Sequence, residues 1–390
     1  MRAALVDCCL ALLLVAALCS CARPLRPDYA RTLPDGAHAL ARIDDPARIP
    51  DLRPLFARRD GALAALDESL DYFAKPSSQK HFPYQAGDRT IRHEDQVQTL
   101  LLLRQILENA THAEQLAREL RDRFDFYRSV GWDNGSGEVL VTAYYTPIFQ
   151  GRTQPDARFR YPLYRRPRDL IATPDGQSLG RRTDDGRVVP YYTRQEIESQ
   201  QLLAGQELVY LTDPFDAFIV HVQGSAWIKT ETGDMHVGYA GKTDRPYHSI
   251  GQELIRRGKI RDEELSLSRL RRYFREHPSE LDVLNANPSY VFFTETEPGA
   301  FGSLGAPVTP YHTVATDKSV FPRGGPVLVS ASRLGDGREP FLGLCFDQDT
   351  GGAIRSAGRA DLYVGVGPAA EQLAGHTRSV GGLIYFFVKP

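Results

Sequence analysis

Between Leu52 and Val130 the chain returns to apolar side chains every three or four residues. The block Ala62-Leu63-Ala64-Ala65-Leu66 and the series Val97, Leu100, Leu101, Leu103, Ile106 and Leu107 each lay a stripe along one face of a helix. These spacings predict packing helices, and none of them carries a group suited to chemistry. From Glu138 the pattern changes to short apolar and β-branched runs. Strands are predicted at 138–146, 207–211, 217–223, 289–294, 326–332, 341–348, 361–366 and 383–388. Short helices are predicted near 193–203, 247–258 and 265–276, and the glycine- and aspartate-rich stretch 174–187 predicts a loop. The expected class is mainly β with packing helices.

Composition narrows the function more than the fold. A chain of 390 residues exceeds what one core usually supports, so two domains are expected. Hydrophobic residues at 42% and charged residues at 25% are enough to build those cores, and 33 glycines with 26 prolines suit strands joined by many turns. A formal net charge of −2 supplies no broad positive field, which argues against nucleic acid as a partner. Metal-protease, thiol-redox, nucleotide and serine-hydrolase readings lack their motifs, because the sequence contains no HExxH, CxxC, P-loop or GxSxG. His221, in a predicted strand, is expected as a core or surface residue rather than a metal ligand. Cys345, in the run Phe341-Leu342-Gly343-Leu344-Cys345-Phe346, is expected as a small buried hydrophobe. Carboxylates and aromatics remain, the usual materials of a sugar site. No metal or cofactor is expected.

The amino terminus carries an address. Residues 8–19 are twelve consecutive apolar residues behind Arg2, too few to span a bilayer and fitting a secretory signal. Leu18-Cys19-Ser20-Cys21 follows and resembles the lipobox of bacterial lipoproteins. That resemblance implies a signal peptide over 1–20, a lipid anchor on Cys21 and, with Ala22 next, an outer-membrane lipoprotein facing the periplasm. Cleavage would leave Cys345 without a disulfide partner. Prolines 24, 27, 34, 46 and 50 read residues 21–50 as a tether.

The sharpest chemical signal lies near the carboxyl terminus. It comprises Ala315-Thr316-Asp317, then Asp347-Gln348-Asp349-Thr350-Gly351-Gly352-Ala353-Ile354, then Arg359-Ala360-Asp361-Leu362-Tyr363-Val364-Gly365. Strand parity puts Leu362, Val364 and Val366 on one face and Asp361, Tyr363 and Gly365 on the other. An apolar triplet takes the core, so Asp361 is expected to face a cleft. Asp349, before Thr-Gly-Gly, suits a turn that lines the site, and Asp317 suits a cap.

These stretches resemble the membrane-bound lytic murein transglycosylase A family, and the final segment resembles a domain named for three aspartates, here Asp317, Asp349 and Asp361. Supporting motifs are Ala143-Tyr144-Tyr145-Thr146-Pro147, Phe218-Ile219-Val220-His221-Val222-Gln223-Gly224-Ser225-Ala226, Tyr239-Ala240-Gly241-Lys242, Tyr247-His248-Ser249-Ile250-Gly251 and Asn287-Pro288-Ser289-Tyr290-Val291-Phe292-Phe293, in that order. The resemblance implies a double-psi β-barrel domain interrupted by a second, barrel-like β domain, with a glycan groove between them. The first part of the barrel domain, with its helical prelude, would span 51–147, the insert 148–287 and the second part 288–390. It implies cleavage of the β-1,4 bond between N-acetylmuramic acid and N-acetylglucosamine in peptidoglycan without water, giving 1,6-anhydro ends, with Asp361 as acid and then base. Such an acid must lie above the ordinary aspartate pKa of about 3.9 to hold its proton near neutrality. Candidate substrate contacts are Tyr144, Tyr145, Thr146, Gln223, Gly224, Ser225, Tyr239, Lys242, Asp349, Gly351 and Gly352. A hydrolytic muramidase and a noncatalytic peptidoglycan-binding lipoprotein remain as alternatives at this point.

Overall fold

The computed structural model describes residues 27–173 and 176–390. Residues 1–20, expected as a signal peptide, and Cys21, expected as the lipid anchor, lie outside the described residues. Strand β1 (Leu40–Arg42) comes first, followed by helices α1 (Arg59–Phe73), α2 (His93–Asn109) and α3 (Ala113–Arg123), with the hairpin β2 (Tyr84–Ala86) and β3 (Arg89–Ile91) between α1 and α2. Leu100, Leu103, Ile106 and Leu107 of α2 are buried, as the spacing predicts, whereas Leu101, counted in the same stripe, faces solvent. The chain then forms β4 (Phe124–Ser129) and β5 (Val139–Thr146).

A second unit follows Pro147. It contains β6 (Ile148–Arg152), β7 (Tyr161–Tyr164), β8 (Leu170–Ala172), β9 (Ser178–Arg182), β10 (Val188–Val189), α4 (Arg194–Ser199), β11 (Glu207–Leu211), α5 (Pro214–Gln223), β12 (Ala226–Thr230), β13 (Gly233–Lys242), α6 (Ile250–Arg256), α7 (Leu267–Glu276) and β14 (Val291–Glu295). The chain returns through β15 (Thr313–Ala315), β16 (Pro326–Ala331), β17 (Phe341–Asp349), β18 (Arg359–Val366), α8 (Gly367–His376) and β19 (Arg378–Val388).

The main sheet runs β1-β4-β19-β16-β17-β15-β18-β5, and a further β5–β19 pairing closes six of these strands into a barrel-like ring. Both faces of the ring are covered. Val327 and Val329 of β16 point into its interior with Cys345, Leu362 and Val364. Leu328, Leu344, Phe346 and Phe386 point outward against Leu66, Leu100 and Leu103 of the helices. Strands buried on both faces read as continuous apolar runs, which is why β16 and β17 show no polar alternation in the sequence. The second unit builds its own sheet, β14-β13-β12-β6-β11-β7, around Leu163, Val209, Ile228 and Phe293.

Three readings from the sequence change. Residues 217–223 form the helix α5, not a strand. Asp213 accepts the backbone N–H groups of Phe215 and Asp216, Pro214 opens the first turn, and Gly224 ends the helix in the left-handed region at φ 80°. Ala217 to His221 are buried in succession while Val222 is exposed, so the run shows little period and its caps identify it better than its pattern. Within the expected loop 174–187, Ser178–Arg182 pairs with β8 and β10 as a three-stranded sheet. Inside the expected tether, Leu40–Arg42 pairs with β4 and Leu40 is buried, so the chain joins the fold there.

Candidate active site

Strand β18 carries Asp361 between two neighbours. Thr142 of β5 is its parallel partner, and Ala315 of β15 is its antiparallel one. Ala315 also pairs with Asp349 at the end of β17, so the two carboxylates flank a single alanine across adjacent strands. Leu362 and Val364 enter the barrel core, leaving Asp361 on the opposite face, half-buried.

The two aspartates are held differently. Asp361 accepts one side-chain hydrogen bond, from Thr142 Oγ1 at 2.8 Å. Burial pushes its pKa up to about 6, against the opposing pulls of Arg359 and of the Thr142 hydroxyl, and the nearby Asp349 pushes the same way as burial. Asp349 is saturated: the Tyr144 phenol donates to Oδ2 at 2.8 Å, and the backbone N–H groups of Ser303 and Thr350 donate to Oδ1, each at 2.8 Å. Burial also raises the Asp349 pKa, and these three donors oppose that rise. The third aspartate, Asp317, is a cap. It accepts the N–H and hydroxyl of Ser319 and the N–H of Ser356, tying the loop after β15 to the turn before β18.

The other candidates divide into an inner and an outer set. Tyr145 and Thr146 are buried; Thr146 Oγ1 lies 2.9 Å from the Tyr363 phenol, and the Tyr145 backbone N–H donates to Gln223 Oε1 at 3.1 Å. Gln223, at the end of α5, thus clamps β5 to the second unit, with half-buried Gly224 and Ser225 beside it. Tyr144 packs its ring 5.1 Å from that of Tyr363. Tyr239 stands out on β13, 49% exposed, at a bulge in its pairing with β14. Lys242 ends that strand, half-buried. Gly352 faces it across the gap between the units: a β-carbon on Gly352 would meet Tyr247 Cβ at 3.4 Å and Lys242 Nζ at 3.9 Å. Gly351 stands one residue away, half-buried.

Sequence reasoning missed three contributors. Thr142 sits two residues before Tyr144, and its contact with Asp361 depends on a parallel pairing across 219 residues. Tyr247 lies in a quoted motif, yet its closeness to Arg359 and Asp361 emerges only in the fold. Asp347 is fully buried and bonded to the Lys318 ammonium, the Thr316 hydroxyl and the Tyr385 phenol, an anchor beneath the site. Among the described residues no group of three or more His, Cys, Asp or Glu side chains is placed to hold a metal ion.

A mainly β protein with a barrel-like sheet, a second β unit and two half-buried carboxylates on the strands flanking β15 is what the known proteins below resemble. A family model described as the MltA specific insert domain matches residues 140–294, and one described as the 3D domain matches 312–386. The membrane-bound lytic murein transglycosylase A of Vibrio cholerae is 33% identical over 261 residues, covering 65% of this chain and 66% of the relative. The Escherichia coli K12 protein of the same name is 34% identical over 265 residues, covering 64% and 66%. The crystal structure of the membrane-bound lytic murein transglycosylase from Agrobacterium tumefaciens superposes with a TM-score of 0.73 at 27% identity, covering 90% of this chain and 98% of that one. E. coli MltA with bound chitohexaose gives a TM-score of 0.68 at 25% identity, covering 94% and 100%. The chain belongs to the membrane-bound lytic murein transglycosylase A family. Its sequence alignment spans just under two thirds of the curated relatives' length.

Proposed function

We propose that this chain is a peptidoglycan lytic transglycosylase in which Asp361 acts first as acid and then as base. The observation that carries the reading is a carboxyl group in the cleft whose pKa is raised to about 6 by burial and whose one side-chain hydrogen-bond donor is Thr142. A hydrolase of the usual kind needs a second carboxylate, about 5–9.5 Å from the first, to activate water or form a glycosyl-enzyme. Asp349 stands near but already accepts three hydrogen bonds, which leaves it poorly suited to take a proton from water.

One carboxyl group suffices when the nucleophile belongs to the substrate. Protonated Asp361 gives its proton to the glycosidic oxygen as the bond to C1 of the muramyl sugar breaks. The carboxylate left behind takes the proton of that sugar's C6 hydroxyl as its oxygen bonds to C1. The 1,6-anhydro ring closes within one residue, so it profits from intramolecular reactivity and leaves the enzyme in its starting protonation state. Tyr144, Tyr239, Gln223, Gly224, Ser225, Lys242, Gly351 and Gly352 are proposed to line the glycan path. Tyr145 and Thr146 would act from behind, holding the wall that carries Tyr144. That the E. coli relative holds chitohexaose supports a β-1,4-linked N-acetylhexosamine chain as the ligand.

The same reading makes 1–20 a signal peptide and Cys21 the lipid attachment point of an outer-membrane protein facing the periplasm, with 148–287 inserted into a double-psi barrel. The parallel pairings β15–β17 and β18–β5 support that barrel topology. The test is the release of soluble muropeptides from purified sacculi. Asp361→Asn should abolish release while still sedimenting with sacculi, and equal release by both proteins would remove Asp361 from the mechanism.

A further inference from the structure

Two cations, one from each unit, lie close enough for one to lower the pKa of the other, and among the described residues neither has a counter-charge. Lys242 ends β13 in the second unit, and Arg355 belongs to the loop between β17 and β18 of the barrel unit. Among the described residues neither makes a side-chain hydrogen bond or an ion pair. The Lys242 ammonium lies beside Gly352, three residues before Arg355; a β-carbon there would stand 3.9 Å from its Nζ, an ordinary contact. Burial and the Arg355 charge both pull the Lys242 pKa down, which marks two like charges sharing one partly desolvated space. Arg359, on the same loop's exit strand, has a buried Nε with no partner and sits close enough to lower the Asp361 pKa. Arg359 there works against an acid that must keep its proton. Uncompensated cations at a cleft cost free energy in the empty protein, and an anion delivered by the ligand recovers it.

We infer that Lys242 and Arg355 form a two-walled clamp for a carboxylate carried on the muramyl residue of the glycan, resting on the transglycosylase reading above. The carboxylate has two possible sources: the free lactyl group of a peptide-free strand, or an acidic side chain of the peptide stem. N-acetylglucosamine polymers have neither, so the clamp separates muramyl-bearing strands from chitin-like ones.

The test uses the Asp361→Asn protein, so that ligands bind without turnover. Affinities are measured for chitohexaose, for peptide-free muramyl glycan and for peptide-bearing glycan at low and high salt. Lys242→Gln is expected to weaken at least one muramyl ligand about tenfold, and Arg355→Gln, at an exposed site, about threefold, each well beyond its effect on chitohexaose. The preference for that ligand should also shrink as salt rises. Loss confined to the peptide-free strand assigns the lactyl carboxylate, and loss confined to the peptide-bearing strand assigns the stem. Equal weakening of all three ligands, or none, overturns the clamp. Arg355→Gln alters an exposed side chain, so a folding defect in Lys242→Gln does not remove the test. If the Asp361→Asn protein binds none of the three glycans, the transglycosylase reading fails first and the clamp falls with it.

Discussion

Replacing Thr142 with valine removes the one side-chain hydrogen bond that Asp361 accepts while keeping the branched shape of the residue. The bond runs 2.8 Å from Oγ1 to Oδ1 and favours the ionised carboxylate. A charge-assisted bond in a partly buried site is worth about 1.5 kcal/mol of preference, close to one pKa unit, so the Asp361 pKa should climb from about 6 to about 7. In the proposed mechanism cleavage starts from the protonated acid. Its rate should therefore fall on the alkaline side with the pKa of that acid, and Thr142→Val should carry this limb about one unit higher. The freed carboxyl group also loses its orientation, so the maximal rate should drop about tenfold. The assay is the initial rate of muropeptide release from sacculi between pH 4 and pH 9, with folding checked by circular dichroism. An alkaline limb that stays in place, or moves downward, would show that the Thr142 bond does not tune the proton used in catalysis.

Four further outcomes follow from the same geometry. Because the folded pKa of Asp361 lies above its unfolded value of 3.8, its contribution to stability is lost as pH rises through about 6. Asp361→Asn should accordingly be more stable than the parent by about 1.5–3 kcal/mol at pH 8, with the gap closing toward pH 4; urea melts at both pH values would show it, and a constant difference would refute it. Lys318→Met leaves Asp347 charged and buried beneath the site, and urea melts should record a loss of about 3–5 kcal/mol. Tyr239→Ala should raise KM for glycan by a factor matching about 1 kcal/mol with kcat and melting temperature unchanged, since the ring is half exposed; an equal fall in kcat would place it in the chemistry instead. Asp349→Ala strips the acceptor from Tyr144, Ser303 and Thr350, and should cost about 1–3 kcal/mol of stability in the same melts, whereas Asp349→Asn should recover much of it.

What was legible in the sequence followed local rules. The stripe in α2, the short helix near 265–276 and the parity that separates Asp361 from Leu362 and Val364 each depend on neighbours within a few residues. Helix α5 reads as a strand in the sequence because residues 217–221 are buried in succession and show little period, although Asp213, Pro214 and Gly224 mark its ends. Strand β4, at the end of the helical stretch, owes its form to β19 and β1, which lie far away in the chain. The site was legible as a set of motifs but not as an arrangement. Asp349 and Asp361 become neighbours only because Ala315 inserts between their strands, and Thr142 reaches Asp361 only through the parallel β5–β18 pairing. Tyr145 belongs to a motif that resembled a sugar platform, yet its ring packs in the barrel core while its backbone meets Gln223. Alternation along a strand names a face; what covers that face is decided elsewhere in the chain.

The measurement closest to the central claim is digestion of purified peptidoglycan in heavy-oxygen water, with the glycan ends read by mass spectrometry. Ring closure by the substrate's own C6 hydroxyl predicts anhydro-muramic ends that contain no solvent oxygen, formed by the parent protein and not by Asp361→Asn. Reducing ends that carry the heavy isotope would mean that water is the nucleophile, and a single carboxyl group serving as acid and then base would no longer describe this site.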